Sequence, residues 1–269
     1  MHFLMILFLM STSSFAFTLN NNFGASFKKS KVKVLVPNNT TCSGAGITVY
    51  ELADLVKPAV DKFWNKVPTS RLRLKGGGFS GAITNINTGR LCSPTDTACV
   101  TAAGGNLIPQ VTDIIVACNN EPLNFGGASV IAVTIPNNFK GKKIQGAVIL
   151  INDGSIFANL SHEDKISVIA HEIGHAIGLG HAEDKDKDAL MYFRTVDRRR
   201  SLGQDDIDGV SYLYPKVIDG CGLFGGTISD GGNNTKGPSF WEMGLGFLMM
   251  ILIGEMIKLL KRPQARAPA

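Results

Sequence analysis

The sequence predicts an α+β domain with two main helices and a short C-terminal helix. Residues 48–66 place apolar side chains at helical spacing, and Ser161 followed by Asp164 is typical of the start of a second helix. Between these helices, residues 113–118 and 144–152 are runs of β-branched and other apolar residues, which are typical of strands. Because the strands are grouped rather than alternating one by one with helices, this order favours the α+β class.

The first half of the chain is predicted to open with a strand over Lys31–Val36, where basic and apolar side chains alternate until Pro37. In the first helix, Pro58 is expected to cause a kink or a short break, because proline has no amide hydrogen to donate. Residues 76–110 are rich in glycine, threonine and asparagine, so a long surface excursion is expected there. A further strand is predicted over 128–136.

The second main helix is expected to run from Ser161 through His175 to about Gly178. Residues 182–205 are polar and charged, which indicates a loop. A last short helix is predicted over Asp205–Leu213. Its apolar face carries three residues: Ile207, Val210 and Leu213.

The N-terminal residues predict export. Phe3–Met10 is almost wholly apolar, and Ser14–Ala16 supplies small residues where a signal peptidase reads the chain. Residues 1–16 are therefore predicted to be a signal peptide that is cut after Ala16. Because no Lys or Arg precedes the apolar run, a buried N-terminal helix is the alternative. The short stretch before the first strand leads us to expect no prodomain.

The C-terminal residues predict a membrane anchor. Phe240–Leu260 is an apolar segment whose 21 residues would span about 31 Å as a helix, close to the bilayer core of about 30 Å. The basic tail 261–269 would stay cytoplasmic and the domain would lie outside. Residues 217–239, which contain many glycines, are predicted to be a stalk. A surface helix, a packed core helix and release from the cell are the alternatives.

Charge and cysteine content add two expectations. The net charge of +5 comes without a basic stripe interleaved with aromatic residues, so no nucleic-acid partner is expected. Export permits disulfides, and proximity favours a bond between Cys92 and Cys99. The odd number leaves at least one thiol free or paired between chains. The cysteines beyond the signal peptide are Cys42, Cys92, Cys99, Cys118 and Cys221.

The segment from His171 to His181 carries the chemistry. Three of the five histidines of the chain lie in these 11 residues. On a helix, His171 and His175 are one turn apart on the same face, so both imidazoles can reach one metal ion. Gly178 permits the left-handed turn that ends the helix and lets His181 approach from another direction.

Three neutral imidazoles fit a zinc ion and leave its fourth position open for water, which is typical of catalytic sites. Glu172 is placed to take a proton from that water and return it to the leaving amine. The predicted cofactor is therefore one catalytic Zn²⁺ held by His171, His175 and His181, with Glu172 as the catalytic residue. Core histidines on an ordinary helix are one alternative, and a zinc site without catalysis is another.

This segment resembles the metzincin superfamily, in which the histidine motif is followed by a methionine turn. Ala189–Tyr192 matches that turn, with Met191 ten residues after His181. Leu202–Tyr214 resembles the closing helix of the matrixins, the matrix-metalloprotease-like peptidases. The likeness covers about residues 30–215.

The resemblance implies a matrixin-like zinc metalloprotease domain over residues 30–216, built on a mixed twisted sheet. It implies that Met191 is a structural floor beneath the histidines. It also implies that an edge strand within Ile144–Asn152 binds the backbone of protein or peptide substrates. The histidine-rich loop that holds a second zinc ion in the family is missing from this sequence.

Other departures concern the pocket and its regulation. Phe193 stands where matrixins commonly have proline, so the pocket wall is expected to differ. Cys42 is the candidate for a zinc-blocking cysteine, although its surroundings do not match the family's switch sequence. Arg194 and Arg198–Arg200 would lie in the loop that shapes the pocket. An exposed basic loop is the default, and a preference for acidic substrates is the alternative.

The acidic residues after His181 raise the question of calcium. Asp184, Asp186 and Asp188 alternate with lysines, but an EF-hand would need Gly and Glu where Ala189 and Thr195 stand. A solvated loop is favoured, and a structural Ca²⁺ ion is the alternative.

The sequence thus favours a zinc-dependent metalloendopeptidase that hydrolyses peptide bonds in extracytoplasmic proteins. It is expected to be membrane-anchored through residues 240–260, with the catalytic domain on the outer side. The alternative function is a membrane-tethered zinc-binding adhesion or scaffold module without catalysis. The presence of Glu172 favours the enzyme.

Overall fold

The computed structural model describes most of the first of two units, which is residues 1–217. The predicted signal peptide and everything from residue 217 onward lie outside the described residues, so those assignments stay predictions. Within the described part of the chain, no helix is long and apolar enough to cross a bilayer. The described residues are 17–20, 24–127, 129–183, 186–194 and 198–216.

In the described part of the chain, six strands form one mixed sheet. The strands β3, β2, β4 and β6 are neighbours in that order and run parallel, while β5 lies antiparallel on the other side of β6. The short β1 pairs with the start of β6. The bounds are β1 Ser26–Phe27, β2 Lys31–Pro37, β3 Arg73–Ser80, β4 Asp113–Asn119, β5 Ala132–Lys140 and β6 Lys143–Asn152.

The edge strand beside β6 is β5, so the expected substrate-binding edge within Ile144–Asn152 is wrong. That segment forms the interior strand β6, which has a neighbour on each side. Its apolar sequence predicts burial but not which strands flank it. The predicted strand over 128–136 begins later, at Ala132, and continues to Lys140.

The two longest helices pack on one face of this sheet. The first, α1, begins with a capping box between Thr48 and Glu51 and continues through Pro58 to Asp61, so the expected break at the proline is absent. Buried residues on both sides of Pro58, such as Val56 and Val60, hold the helix against the sheet. The helices are α1 Val49–Asp61, α2 Thr97–Ala102, α3 Ser155–Ala158, α4 His162–Ala176 and α5 Gln204–Leu213.

The expected surface excursion over residues 76–110 is wrong in two respects. Its first residues belong to β3, and a Cβ atom on Gly76 would lie 2.9 Å from Val60 Cγ2, so the glycine lets α1 approach the sheet closely. Farther along, Ile86 and Leu91 are buried in a second apolar cluster. A composition rich in glycine and threonine does not reveal such anchors.

Two disulfides join described cysteines. The predicted Cys92–Cys99 bond is confirmed, and Cys42 is bonded to Cys118 on β4. Because Cys42 has no free thiol, its candidacy as a zinc-blocking cysteine is wrong. The two partners are 76 residues apart, so their pairing depends on the fold rather than on local spacing. The fifth cysteine, Cys221, lies outside the described residues.

Candidate metal centre

Helix α4 and the turn that follows it bring three histidines together. Ser161 caps the helix as predicted, because its side chain accepts a hydrogen bond of 3.2 Å from the backbone N–H of Asp164. The helix ends at Ala176, and Gly178 has φ +111°. A Cβ atom on Gly178 would lie 2.4 Å from the carbonyl oxygen of Ala25, so only glycine fits this turn.

The imidazoles of His171, His175 and His181 face one another. Their ring centroids are 4.7 to 5.4 Å apart, and the Nε2 atoms of His175 and His181 are separated by 3.2 Å. Two nitrogens bound tetrahedrally at about 2.0–2.1 Å would be about 3.3 Å apart. Among the described residues, this is the only cluster of histidine, cysteine or acidic side chains close enough to hold a metal ion.

Backbone carbonyls orient two of these rings. His171 Nδ1 lies 2.8 Å from the carbonyl oxygen of Leu190, and His175 Nδ1 lies 2.8 Å from that of Leu179. A carbonyl only accepts, so each Nδ1 carries the hydrogen and each Nε2 keeps a lone pair. Burial lowers the pKa of all three imidazoles, in His181 to about 4, which favours the neutral form that metals bind. The donor set therefore fits zinc.

Glu172 lies beside this cluster with its carboxylate buried. Burial raises the pKa of this carboxyl to about 7, and a hydrogen bond from Thr134 opposes the rise. The hydroxyl of Thr134 on β5 lies 2.6 Å from Glu172 Oε2. The edge strand therefore touches the acidic group directly, a contact that the sequence does not predict.

Met191 is buried against α4 at Gly174, which lies between the first two histidines in sequence. A Cβ atom on Gly174 would lie 2.2 Å from Met191 Sδ and 2.8 Å from Trp64 Cζ2. The close contact explains why this helical position is glycine. The predicted methionine turn therefore packs on the helix that carries His171.

Asp206 on α5 holds this turn, and sequence reasoning missed that role. Its carboxylate accepts hydrogen bonds from the backbone N–H groups of Leu190, Met191 and Gly203 at 2.6, 3.0 and 2.8 Å. The carbonyl of Leu190 in turn accepts from His171. The only signal in the sequence is the acidic pair at the start of the predicted last helix.

A cleft of about 720 Å³ runs past the histidines. Residues of the edge strand and the loop before it form one wall, and Phe193 lies on the rim with its ring centroid 5.7 Å from that of His181. The N-terminal residues Thr18–Asn20 also line the cleft, because Asn20 donates to the carbonyl of Gly178 at 2.9 Å. The residues that complete the lining are Phe125, Ser129–Thr134, Val168, Glu172, His175 and Gly180.

The basic loop contributes no arginine to the described lining of this cleft. Arg200 pairs with Asp164 at the start of α4, and Arg199 lies 3.8 Å from Asp188. Arg194 stacks on Phe193 at 5.2 Å. The three aspartates considered for calcium form no metal-binding group in the described residues, and Asp184 lies outside them.

Residues 119–215 match the family described as Matrixin. Metalloendoproteinase 5-MMP of Arabidopsis thaliana is 35% identical over 88 residues, which are 30% of this chain and 24% of that protein. Metalloendoproteinase 1 of Glycine max is 51% identical over 53 residues, 19% of this chain and 17% of that protein. Neutrophil collagenase of Homo sapiens is 40% identical over 74 residues, 26% of this chain and 14% of that protein.

The chain matches at most 24% of the length of these three relatives. The part matched by the family nevertheless contains β5, β6, α4 and α5, and with them the histidine cluster, Glu172 and Met191. Two of these relatives are named metalloendoproteinases and the third a collagenase. Residues 119–215 are therefore similar to the matrixins, and the histidine cluster and the buried glutamate lie in that part of the chain and support a matrixin-like metzincin domain there.

Proposed function

We propose that this chain is a zinc-dependent endopeptidase that hydrolyses peptide bonds in extracytoplasmic proteins and peptides. The observation that carries the proposal is the buried carboxyl of Glu172, with a pKa raised to about 7, beside three histidines that face one another in an open cleft. A purely structural zinc site needs no buried acid next to its ligands.

In this proposal His171, His175 and His181 hold the metal. When bound, zinc supplies the Lewis acidity that polarises the scissile carbonyl and makes a water molecule more acidic. Glu172 accepts the proton of the attacking water and returns it to the leaving amine. The buried carboxyl lines the same cleft as the three histidines, a position that suits both transfers.

The hydroxyl of Thr134 holds Glu172 Oε2, so Oε1 is the oxygen that we assign to proton transfer. The peptide substrate is proposed to lie along β5, whose outer side has no partner strand in the described residues. Added-strand binding aligns a backbone without reading most of its side chains, which suits an endopeptidase. Met191 is the proposed apolar floor of the centre.

The decisive experiment is hydrolysis of casein by the full-length protein. Activity is expected to disappear with a zinc chelator and to return when zinc is added. The variant Glu172→Ala is expected to lose activity while keeping its zinc, because the glutamate moves a proton and is not a ligand. Zinc-loaded protein that binds casein without cutting it would favour the adhesion or scaffold function instead.

The organisation of the whole chain is part of the proposal. Residues 1–16 are a signal peptide, 30–216 the peptidase domain, 217–239 a stalk, 240–260 a transmembrane helix and 261–269 a cytoplasmic tail. The apolar run and its basic flank support this order. Zinc is the single metal of the proposal, and addition of Ca²⁺ is expected to leave the thermal midpoint unchanged.

A further inference from the structure

The fold gathers three basic segments of the sequence onto one surface. The pairing of β2 with β3 sets Lys28–Lys33 beside Arg71–Lys75, and the pairing of β1 with β6 sets Lys140–Lys143 next to the first of these segments. We call this surface the basic face. Its exposed side chains are Lys28, Lys29, Lys31, Lys33, Arg73, Lys75, Lys140 and Lys142.

In the described part of the chain, cations of the basic face lie opposite other cations, and only Lys29 among them forms an ion pair with an acid. Across the two strands, Lys31 is opposite Arg73 and Lys33 is opposite Lys75. Like charges directly opposite each other in a sheet destabilise it. The groove that these residues line contains one carboxylate, Asp113, which pairs with Lys29 and also accepts from the backbone N–H of Lys33. The folded domain thus keeps repulsion between the facing cations of β2 and β3, which neutral side chains at these positions would remove.

The basic face lies away from the candidate metal centre. Along β2, the residues that alternate with the lysines, Val32 and Val34, are buried in the same cluster as the apolar residues of α1 and α4. Because successive side chains of a strand point to opposite faces, the lysines point away from α4 and its histidines. A partner bound to the basic face would therefore leave the cleft open.

The described chain ends beside the basic face. The backbone N–H of Lys216 donates to the carbonyl of Thr69 at 2.9 Å, and that of Arg71 donates to the carbonyl of Tyr214 at 2.9 Å. The guanidinium of Arg71 reaches the carbonyl of Lys28 at 3.3 Å. The last described residues therefore lie beside the basic face.

The side chains that line the groove restrict the class of partner that could bind there. It is lined by lysine, arginine, aliphatic side chains and one aspartate, with no aromatic ring on which a nucleic-acid base would stack. Exposed cations that are spread over three segments suit a surface of many phosphates rather than one buried anion. We propose that the basic face binds the anionic surface of a phospholipid bilayer. This inference goes beyond the proposed peptidase activity and does not depend on it.

Lysine acetylation of the full-length protein tests the proposal. Vesicles of phosphatidylcholine, with and without phosphatidylglycerol, are the probes. The anionic vesicles are expected to slow acetylation of Lys31 and Lys33 several-fold, and about 0.5 M salt is expected to restore it because salt screens exposed charges. Lys62 and Lys187, which are exposed elsewhere, serve as controls whose rates stay unchanged. Equal rates in both kinds of vesicle would overturn the proposal.

A pair of double variants with the same change in charge adds specificity. Lys31→Glu with Lys33→Glu is expected to weaken binding to anionic vesicles at least roughly tenfold, which would be seen as lost protection of Lys75. Lys62→Glu with Lys187→Glu is expected to keep that protection. If both double variants lost the protection of Lys75, the effect would be due to net charge, and specific binding through the basic face would be rejected.

Three further measurements separate other outcomes. Thermal midpoints test whether both double variants fold. If Lys31→Glu with Lys33→Glu does not fold, Lys31→Gln with Lys33→Gln takes its place. Membrane fractionation tests the proposed anchor separately, because the acetylation pattern reports the basic face whether or not residues 240–260 insert. Protection by a sulfated polysaccharide but not by anionic vesicles would overturn the membrane assignment.

Discussion

The three histidines of the candidate metal centre are held with unequal firmness. Carbonyl oxygens fix the rings of His171 and His175 at 2.8 Å. The backbone carbonyl of His181 accepts from the hydroxyl of Thr18, but its ring is on the exposed side of the cluster. We therefore expect His181 to contribute to metal binding mainly through its own ring nitrogen, and less through the packing of its ring.

The variant His181→Ala is accordingly expected to lower zinc content and abolish peptidase activity, with little change in folding. Removal of one of three ligands weakens metal binding, while the partly exposed ring contributes little to the core. Metal analysis after dialysis measures the effect, with His162→Ala as the control because His162 is exposed at the start of α4. Unchanged zinc content in His181→Ala would remove this residue from the ligand set.

Thr134 provides a second test at this scale. Thr134→Val removes the hydroxyl that binds Glu172 Oε2 but keeps the branched shape, and it is expected to lower kcat roughly tenfold with a smaller effect on KM. Since this hydrogen bond lowers the pKa of Glu172, its loss should move the acidic limb of the pH profile upward. Thr134→Ser is expected to restore most of the activity. If the unchanged protein, Thr134→Val and Thr134→Ser had equal kcat, Thr134 would have no role in proton transfer by Glu172.

The sequence predicts the histidines and Glu172 because a helix turns residue spacing directly into geometry. It cannot predict Thr134, which reaches Glu172 from 38 residues away, because that contact depends on which strand lies at the edge of the sheet. Asp206 was missed for the same reason. Its three backbone partners lie in a turn whose position only the folded chain defines.

At the scale of elements, α5 begins with two aspartates whose environments differ. Asp206 accepts three backbone hydrogen bonds, whereas the Oδ1 atom of its neighbour Asp205 is buried and has no hydrogen-bond partner among the described residues. Burial, and then repulsion from Asp186, raises the pKa of Asp205 to about 6. Asp206 thus supports the methionine turn, whereas the charged form of Asp205 is disfavoured where it lies.

These differences predict opposite effects of the same substitution. The folded-state pKa of Asp205 is above its ordinary value of 3.8, so its contribution to stability is greatest below that pH and is lost as the pH rises through about 6. Asp205→Asn should therefore stabilise the domain at pH 7.5 by about 1–2 kcal/mol and have almost no effect at pH 3.5. Asp206→Asn should destabilise it by about 2 kcal/mol at pH 7.5, because buried N–H groups lose a charged acceptor.

Urea unfolding of both variants at several pH values gives the comparison. The difference between Asp205→Asn and the unchanged protein should grow from pH 4 to pH 6 and then level off. A difference that does not vary with pH would mean that this carboxyl does not titrate anomalously. Equal losses in the two variants would reject the assignment of distinct roles to the two aspartates.

The elements themselves were largely predictable where their signals are local. The strand at Lys31, the cap at Ser161 and the last helix follow from alternation, capping and periodicity. The predicted kink or break at Pro58 was wrong because tertiary packing on both sides of it outweighs one missing hydrogen bond. The glycines of β3 led to the wrong prediction of a surface excursion. They belong to the sheet instead, and their lack of side chains makes room for α1.

At the scale of the whole molecule, the two disulfides close loops of very different length. The Cys42–Cys118 bond spans 76 residues and links the segment after β2 to β4, whereas Cys92–Cys99 spans seven. Restricting the unfolded chain predicts stabilisation of about 4 kcal/mol for the long loop and about 2–3 kcal/mol for the short one. Replacing Cys42 and Cys118 together by Ala should therefore destabilise the domain more than replacing Cys92 and Cys99. Chemical denaturation of the two double variants ranks them, and the reverse order would contradict this model.

The last prediction concerns how the domain is held in the cell. The buried clusters, both disulfides and the histidine centre lie within residues 17–216, so the domain has a core of its own. The apolar segment 240–260 lies outside the described residues, and its 21 residues are enough to cross a bilayer as a helix. Full-length protein is therefore expected in membranes after carbonate extraction. Deletion of 240–269 should release a soluble enzyme with unchanged kcat, whereas deletion of 261–269 alone should leave it in the membrane, since the apolar segment remains. Full-length protein that washes off with carbonate would reduce the segment to a surface helix, and an insoluble 1–239 protein would show that the domain needs the residues we assign to the anchor.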